Sequence, residues 1–148
     1  MKLKYKLIID KNQEESIVIT VKEKTELIDE IEQLISKNSL NLIGYDDEEI
    51  VPLKIEDIYA FYSNNGKIYA STKSKDYLLK ERIYQLETIA QSFIKINQGC
   101  IINPKKILRF ETKISGTIRV VLKNDFSDYI ARREMKTVKR RLGLWINI

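Results

Sequence analysis

The alternation of apolar and polar residues at the start of the chain predicts a small ββα unit over residues 1–39. Residues 2–10 and 16–21 each place apolar side chains at every second position, as a half-buried strand does. The polar residues between the two segments predict a turn, so we expect a hairpin. The helix that follows is predicted from apolar residues on one stripe, namely Leu27, Ile31, Leu34 and Ile35.

Residues 40–148 are predicted to form a second domain that is mainly β. Residues 55–73 contain two alternating segments joined by Asn65-Gly66, and Asn-Gly is the strongest short signal for a hairpin. Helical spacing of apolar residues predicts one packed helix over residues 75–93. Further segments predict strands at 107–110, 116–122 and 126–130, followed by a terminal helix at 131–143. We therefore predict an α+β fold, mainly β, with short antiparallel sheets.

The segment that organises this second domain is residues 93–107, which has the sequence FIKINQGCIINPKKI. Two short apolar strands flank a polar turn at Asn97 and Gln98, and a basic step at Lys105 and Lys106 follows directly. Strands buried on both sides of a turn hold its side chains in place. This arrangement suits a turn that presents side chains to a ligand.

Charge is distributed unevenly between the two halves of the chain. Residues 1–50 carry seven Lys and twelve Asp or Glu, a net charge of −5, whereas residues 51–148 carry nineteen Lys or Arg and nine Asp or Glu, a net charge of +10. A strongly basic segment attracts polyanions, chiefly nucleic acid. The alternative is that these charged residues serve only ordinary solvation and are clustered by chance.

The available side chains argue against an enzyme, a metal site or a cofactor. The chain contains no His, which removes the usual general base and the commonest zinc ligand. Cys100 lies in an apolar segment and is predicted to be a buried core thiol. Neither GxxxxGK[ST] nor GxGxxG occurs. The acidic run at residues 46–49 lacks the spacing of a calcium loop and is predicted to be a solvated turn.

The same inventory favours the cytoplasm. No apolar run approaches the roughly 20 residues of a membrane-spanning helix. The first residues alternate charged and apolar side chains, unlike a signal peptide. A single cysteine cannot form an internal disulfide.

Three places in the basic segment supply side chains suited to reading DNA. Asn and Gln amides can bond adenine in a bidentate way, Arg can do the same to guanine, and Lys neutralises phosphates. The three places are the turn at residues 64–67, the pair Asn97-Gln98 and the pair Arg132-Arg133. Each alone is more simply a turn or a solvated helix face, but together in a +10 segment they favour DNA.

The order of motifs resembles the LytTR-type DNA-binding domain of bacterial regulators. The landmarks are IEDIYAFYS, then FIKINQGCIIN, which is similar to the family pattern F-[IV]-R-[IV]-x-x-[ST]-x-[IV]-V-N, and last LKND and the basic tail ARREMKTVKRRLG. The resemblance covers roughly residues 53–144. It implies a β-rich fold that reads DNA with loops rather than with a recognition helix.

Carried over by position, the resemblance implies two sets of contacts. The base contacts are expected at Asn64, Asn65, Lys67, Asn97, Gln98 and Arg132. The phosphate contacts are expected at Lys95, Lys105, Lys106, Arg133, Lys136, Lys139 and Arg140. Lys95 stands where the family usually has Arg, and Glu134 stands where Tyr is common.

The resemblance also implies partners. The chain is similar to stand-alone regulators with a short N-terminal extension, which implies binding to repeated sites on double-stranded DNA as a homodimer. Some of these regulators are restrained by a small membrane protein. We expect the acidic unit of residues 1–39 to serve dimerisation or partner docking. The alternatives are an RNA-binding protein, which would use exposed aromatic residues for stacking, and a protein-interaction module that does not bind DNA.

Overall fold

The computed structural model of the protein describes residues 3–39 and 42–145. The chain divides into two units, Met1–Ile35 and Ser36–Ile148. Each unit is described by itself. The predicted domain boundary after residue 39 stays a prediction.

The first unit corrects the predicted hairpin, because residues 3–25 form no strand. The turn between the two segments is present, since the Asp10 carbonyl oxygen accepts a hydrogen bond from the Gln13 N–H at 3.3 Å. The apolar side chains lie uncovered among the described residues, and Tyr5 is 93% exposed. A two-stranded hairpin without a covered face is marginally stable. The alternating pattern of apolar residues was therefore not sufficient to predict strands here. The predicted helix is confirmed as α1, Glu26–Ser39.

Residues 42–145 of the second unit form ten strands and two helices. The strands are β1 (Leu42–Tyr45), β2 (Ile50–Leu53), β3 (Ala60–Asn64), β4 (Lys67–Ser71), β5 (Asp76–Leu79), β6 (Ile94–Asn97), β7 (Cys100–Ile102), β8 (Ile107–Thr112), β9 (Ile118–Leu122) and β10 (Ser127–Tyr129). The helices are α2 (Ile83–Ile89) and α3 (Arg132–Leu142). Single 3₁₀ turns occur at Ile55–Asp57 and Pro104–Lys106.

The strands form two antiparallel sheets, as predicted. Seven strands follow the order β2-β1-β5-β4-β3-β7-β6, and three follow the order β10-β9-β8. One face of the large sheet, including Phe61 and Leu79, packs with Leu86 of α2. The other face, including Ile96, packs with Val120 of the small sheet and with α3. The large sheet is therefore a central layer, and its apolar faces fix the position of its turns.

The predicted helix at residues 75–93 is wrong in its first half. Asp76–Leu79 is strand β5 and pairs with β4, where Leu79 lies opposite Ile68. Tyr77 and Leu79 are both buried, and their spacing is the two-residue period of a strand rather than a helical period. The helix is limited to α2, where burial of Leu86 agrees with the prediction.

The antiparallel register brings two turns to one end of the large sheet. Asn64 pairs with Lys67 across the β3–β4 turn, and Tyr62 of β3 pairs with Cys100 at the start of β7. The Ser63 N–H then donates to the Gly99 carbonyl oxygen at 2.8 Å. We call this edge, formed by residues 64–67 and 97–99, the hairpin end. The opposite edge, which holds residues 103–106 and 123–125, is the distal end.

Candidate nucleic-acid interface

The β3–β4 turn is the hairpin predicted from Asn65-Gly66. Asn65 has φ 52° and Gly66 has φ 76°, and positive φ at both central residues is what a type I′ turn requires. Asn64 and Lys67 occupy the last and first strand positions beside it and are exposed. The tight turn therefore presents two polar side chains at the hairpin end.

The β6–β7 turn contains Asn97, and its amide is bonded inside the protein. Asn97 is only 7% exposed. Its Nδ2 donates to the Tyr129 carbonyl oxygen at 2.9 Å, and its Oδ1 accepts from the Gly99 N–H at 3.0 Å. The amide thereby joins this turn to the end of β10.

Gln98 lies at the tip of the same turn and is exposed. The turn runs close beside β3, because a Cβ at Gly99 would lie 3.2 Å from the Ser63 Cβ. This close approach leaves little room for a larger residue and holds the tip next to the β3–β4 turn. Gln98 is consequently placed beside Asn64.

Helix α3 begins at the same edge. The Ala131 N–H donates to the Ile96 carbonyl oxygen at 2.8 Å, so Arg132 follows directly after a residue bonded to β6. The structure thus brings together five of the six predicted base contacts as exposed side chains: Asn64, Asn65, Lys67, Gln98 and Arg132. Among the described residues, none of these five side chains makes a hydrogen bond or an ion pair within the protein.

One flank of α3 is basic. Met135 and Val138 face the core, and the 100° step of a helix places Arg132, Lys136 and Lys139 together beside that buried stripe. These three residues line a groove of about 670 Å³ opposite the β8–β9 turn. Arg133 and Arg140 are exposed farther around the helix. Glu134 falls on the other flank by the same spacing, away from this cationic row.

The structure separates three of the predicted phosphate contacts from that row. Lys95 Nζ lies 3.8 Å from Glu87 Oε1. Lys105 and Lys106 follow β7 and lie at the distal end, where Lys106 Nζ is 5.0 Å from the centre of the Tyr59 ring. Strand β3 alone separates the two ends by roughly 13 Å.

Two basic residues near the hairpin end escaped the sequence analysis. Arg82 Nη1 lies 3.5 Å from the Gly66 carbonyl oxygen, and Lys80 directly follows β5. The pairing of Ile68 with Leu79 sets the end of β5 beside the start of β4. Their signal was the strand period at Tyr77 and Leu79, which the helix prediction overlooked.

Arg141 was also missed, and its role is internal. Its Nη1 donates to the Phe93 carbonyl oxygen at 3.0 Å, and its Nη2 lies 3.4 Å from the Gln91 carbonyl oxygen. These carbonyl groups follow the end of α2 and lack helical partners. Arg141 therefore fastens α3 to the segment that leads into β6.

Cys100, at the start of β7, is a buried titratable group close to the hairpin end. Burial raises the pKa of the Cys100 thiol well above its ordinary value, and Asp128 adds to the rise. The thiol is buried, as predicted. Residues 3–39 and 42–145 contain no cluster of three His, Cys, Asp or Glu side chains able to hold a metal ion.

The acidic turn at residues 46–49 is ion-paired as well as solvated. Lys75 Nζ lies 2.6 Å from Asp46 Oδ2 and 2.7 Å from Glu49 Oε1. The hydrogen bond from Lys75 lowers the pKa of the Asp46 carboxyl. The sequence did not predict this bridge between the β1–β2 and β4–β5 turns.

Comparison with protein families identifies one family, and comparison with single proteins finds relatives that cover most of the chain. The model of the LytTr DNA-binding domain matches residues 48–143. An uncharacterized HTH-type transcriptional regulator of Staphylococcus aureus strain bovine RF122 / ET3-1 is 32% identical over 96% of this chain and 99% of its own length. A regulator with the same description from strain MSSA476 is 35% identical over 72% of this chain and 73% of its own.

A solved structure shares the fold. The LytTr DNA-binding domain of a Bacillus cereus protein matches with a TM-score of 0.64 over 70% of this chain and 98% of that chain, at 14% identity. Its match agrees with the predicted antiparallel sheets.

Two further findings concern the helices of the described chain. In residues 3–39 and 42–145 every helix is separated from the next by strands, so this part contains no helix-turn-helix pair. In the same residues we find no helix with the length and apolar character needed to cross a membrane.

Proposed function

Because the chain belongs to the LytTr DNA-binding domain family, we propose that it is a transcription regulator that binds specific sequences of double-stranded DNA through its hairpin end. The observation that carries this proposal is the placement of Asn64, Gln98 and Arg132 at one end of the large sheet, where the basic helix α3 begins. Exposed amide and guanidinium groups suit base edges, and a cationic row suits the adjacent phosphates.

The proposed base contacts follow from side-chain chemistry. Arg132 has the planar fork that bonds the O6 and N7 atoms of guanine, whereas Asn64 and Gln98 can bond the N6 and N7 atoms of adenine. Lys67 and Asn65 extend this set along the β3–β4 turn. Asn97 acts indirectly in our proposal, because its buried amide holds the turn that carries Gln98.

The proposed phosphate contacts centre on α3. Lys136, Lys139, Arg133 and Arg140 are basic residues on or near one flank of that helix. Lys95 contributes less in this proposal because Glu87 offsets its charge. Lys105 and Lys106 contribute less because they lie at the distal end.

Repeated sites call for a dimer, and we propose that the first unit supplies the contact between two copies. Its support is a set of large apolar side chains that lie exposed in residues 3–19: Leu3, Tyr5, Leu7, Ile8, Ile9, Ile17, Val18 and Ile19. Exposed apolar groups of this number mark an interaction surface. Residues 1–35 carry six Lys and eight Asp or Glu, a net charge of −2, so this unit offers DNA no net positive charge.

The cellular setting is proposed from the same family membership. We place the regulator in the cytoplasm with DNA as its partner and with no catalytic activity, since the family is one of DNA-binding domains. Restraint by a small membrane protein stays a prediction drawn from the family resemblance.

In vitro selection of bound duplexes from a random pool tests the proposed function. We expect one enriched sequence in two copies, with binding that weakens steeply as salt is raised. Single-stranded RNA should compete poorly with the selected duplex. Preferential binding of that RNA would favour the RNA-binding alternative, and an absence of salt-dependent DNA binding would favour a protein-interaction module.

Light scattering of full-length variants tests the dimer. Leu7→Glu and Ile9→Glu place charge on two exposed apolar positions of the first unit, and we expect them to shift the protein from dimer to monomer. Affinity for a two-copy site should fall, whereas affinity for a single copy should stay unchanged. Tyr84→Glu, an exposed position of α2, is the matched control. A Leu7→Glu protein that stays dimeric would contradict the assignment.

A further inference from the structure

The β8–β9 turn forms a wall of the groove described above, and nothing in the assigned contacts uses it. Residues 113–117 connect the two strands. Ser115, Gly116 and Thr117 line the groove opposite Arg132, Lys136 and Lys139. The groove therefore has a cationic wall on α3 and a second wall on the β8–β9 turn. Lys113 and Ile114 do not line the groove, but they directly precede its second wall in the sequence.

The tip of this turn has an unusual composition for an exposed loop. Ile114 is fully exposed, with no apolar neighbour to cover it. Gly116 has φ 85°, and nothing lies within 4 Å of where its Cβ would be. The Gly116 N–H donates to the Lys113 carbonyl oxygen at 2.9 Å, so the turn is tight. Ile114 and Ser115 are the two residues between these bonded groups, and the hydrogen bond fixes the backbone that carries them.

The chemistry of the groove fits one strand of a nucleic acid backbone. Lysine and arginine side chains and the hydroxyl groups of Thr117 and Tyr129 can donate to phosphate oxygens, whereas the Ser115 hydroxyl donates to Thr117 Oγ1 at 3.2 Å. Ile130, Ala131 and Met135 also line the groove, and their apolar atoms suit the carbon face of a deoxyribose. A purely cationic surface would bind phosphate alone, whereas this lining has a partner for both parts of the strand.

We propose that this groove holds one sugar-phosphate strand of the duplex next to the bases read at the hairpin end, and that at the rim of the groove Lys113 contacts phosphate and Ile114 contacts deoxyribose. This inference rests on the proposed function and adds a second wall to it. Ile114 contributes affinity without sequence choice, because all nucleotides share the sugar. Minor-groove architectural proteins use Ile and Leu differently, because they insert these side chains between base steps.

Anisotropy titrations of the full chain on the selected duplex provide the first test. Ile114→Ser removes the apolar group, and we expect binding to weaken roughly fivefold. Ile50→Ser is the matched control, because Ile50 is also an exposed isoleucine, at 70%, but lies on the edge strand β2. The control should stay within about twofold of the wild type. Lys113→Ala should make the salt dependence of the affinity shallower by about one.

Hydroxyl-radical footprinting provides the second test, since it reports burial of individual sugars. We expect the wild type and Ile50→Ser to protect a short run of sugars flanking the bases that are read, and Ile114→Ser to lose part of that protection. An Ile114→Ser protein that matches Ile50→Ser in affinity or in footprint would overturn the proposal. A wild type that binds no duplex would overturn the proposed function as well.

Discussion

The two ends of the large sheet carry similar amide and lysine side chains, but they differ in where those side chains bond. At the distal end, Asn103 Nδ2 donates to the Ile58 carbonyl oxygen at 3.0 Å, and Asn124 Nδ2 donates to Ser71 Oγ at 2.8 Å. At the hairpin end, Asn64 and Gln98 are exposed. An Asn or Gln in a turn therefore indicates a binding residue only when it is known whether its amide points to solvent or bonds inside the protein.

Asn97 is an exception, because it lies at the hairpin end but its amide bonds inside the protein, as the amides of Asn103 and Asn124 do. Its side chain connects β10 to the β6–β7 turn. If hairpin-end amides divide into one that supports and others that bind DNA, changes at adjacent positions should separate stability from affinity.

The largest effect is expected from Asn97→Ala. The change leaves the Tyr129 carbonyl oxygen and the Gly99 N–H without their side-chain partner in a partly buried region, which should cost about 2 to 4 kcal/mol of unfolding free energy. Urea denaturation measures the loss. Gln98→Ala is the control one residue away and should alter stability by less than about 0.5 kcal/mol while weakening operator binding. Equal unfolding midpoints for the two variants would abolish the distinction.

Arg132→Ala is the next largest. We expect a loss of about 1 to 3 kcal/mol on the preferred sequence and relaxed choice at the base it contacts. Binding to a panel of single-base variants measures both. Lys139→Ala is the comparison, since it lies on the same basic flank but should weaken all sequences about equally. If Arg132→Ala and Lys139→Ala gave the same profile across the panel, the division into base and phosphate contacts would be wrong.

These contrasts show what sequence could provide. The segment at residues 93–107 was predicted correctly because its apolar strands and its two-residue turn are local features. β6 and β7 follow that prediction, whereas the 3₁₀ turn at Pro104–Lys106 was not predicted. The direction of Asn97 was not predictable, because its partner on Tyr129 lies 32 positions away in the sequence.

The two failures at the level of elements have a common cause. Residues 76–79 are a strand because β4 is available to pair with them. Residues 3–21 form no strand, and the apolar side chains of residues 3–19 are exposed. Local period indicates which face a segment can bury. Whether anything lies against that face depends on tertiary contacts.

A smaller effect distinguishes the two ends directly. Sequence alone gave Lys105 and Lys139 the same phosphate role, whereas the structure sets Lys105 at the distal end. We expect Lys139→Ala to make the salt dependence of binding shallower by about one, and Lys105→Ala to leave both slope and affinity nearly unchanged. Titrations at several salt concentrations measure this. An equal loss of slope in both variants would mean that DNA contacts the distal end too.

The smallest effect concerns the ion pair of Lys75 with Asp46 and Glu49, which joins two turns away from the proposed DNA contacts. Because Lys75 lowers the folded-state pKa of Asp46, this contribution to stability is present above the ordinary aspartate pKa of about 4. It is lost as pH falls through the lower folded value. As pH is lowered from 6 to 3, the melting temperature should therefore fall more steeply for the wild type than for Lys75→Met. The two proteins should bind DNA with the same affinity at neutral pH. If the melting temperature of Lys75→Met fell in parallel with that of the wild type, the ion pair would not account for the pH dependence. If Lys75→Met bound DNA more weakly, the DNA-binding surface would extend beyond the hairpin end.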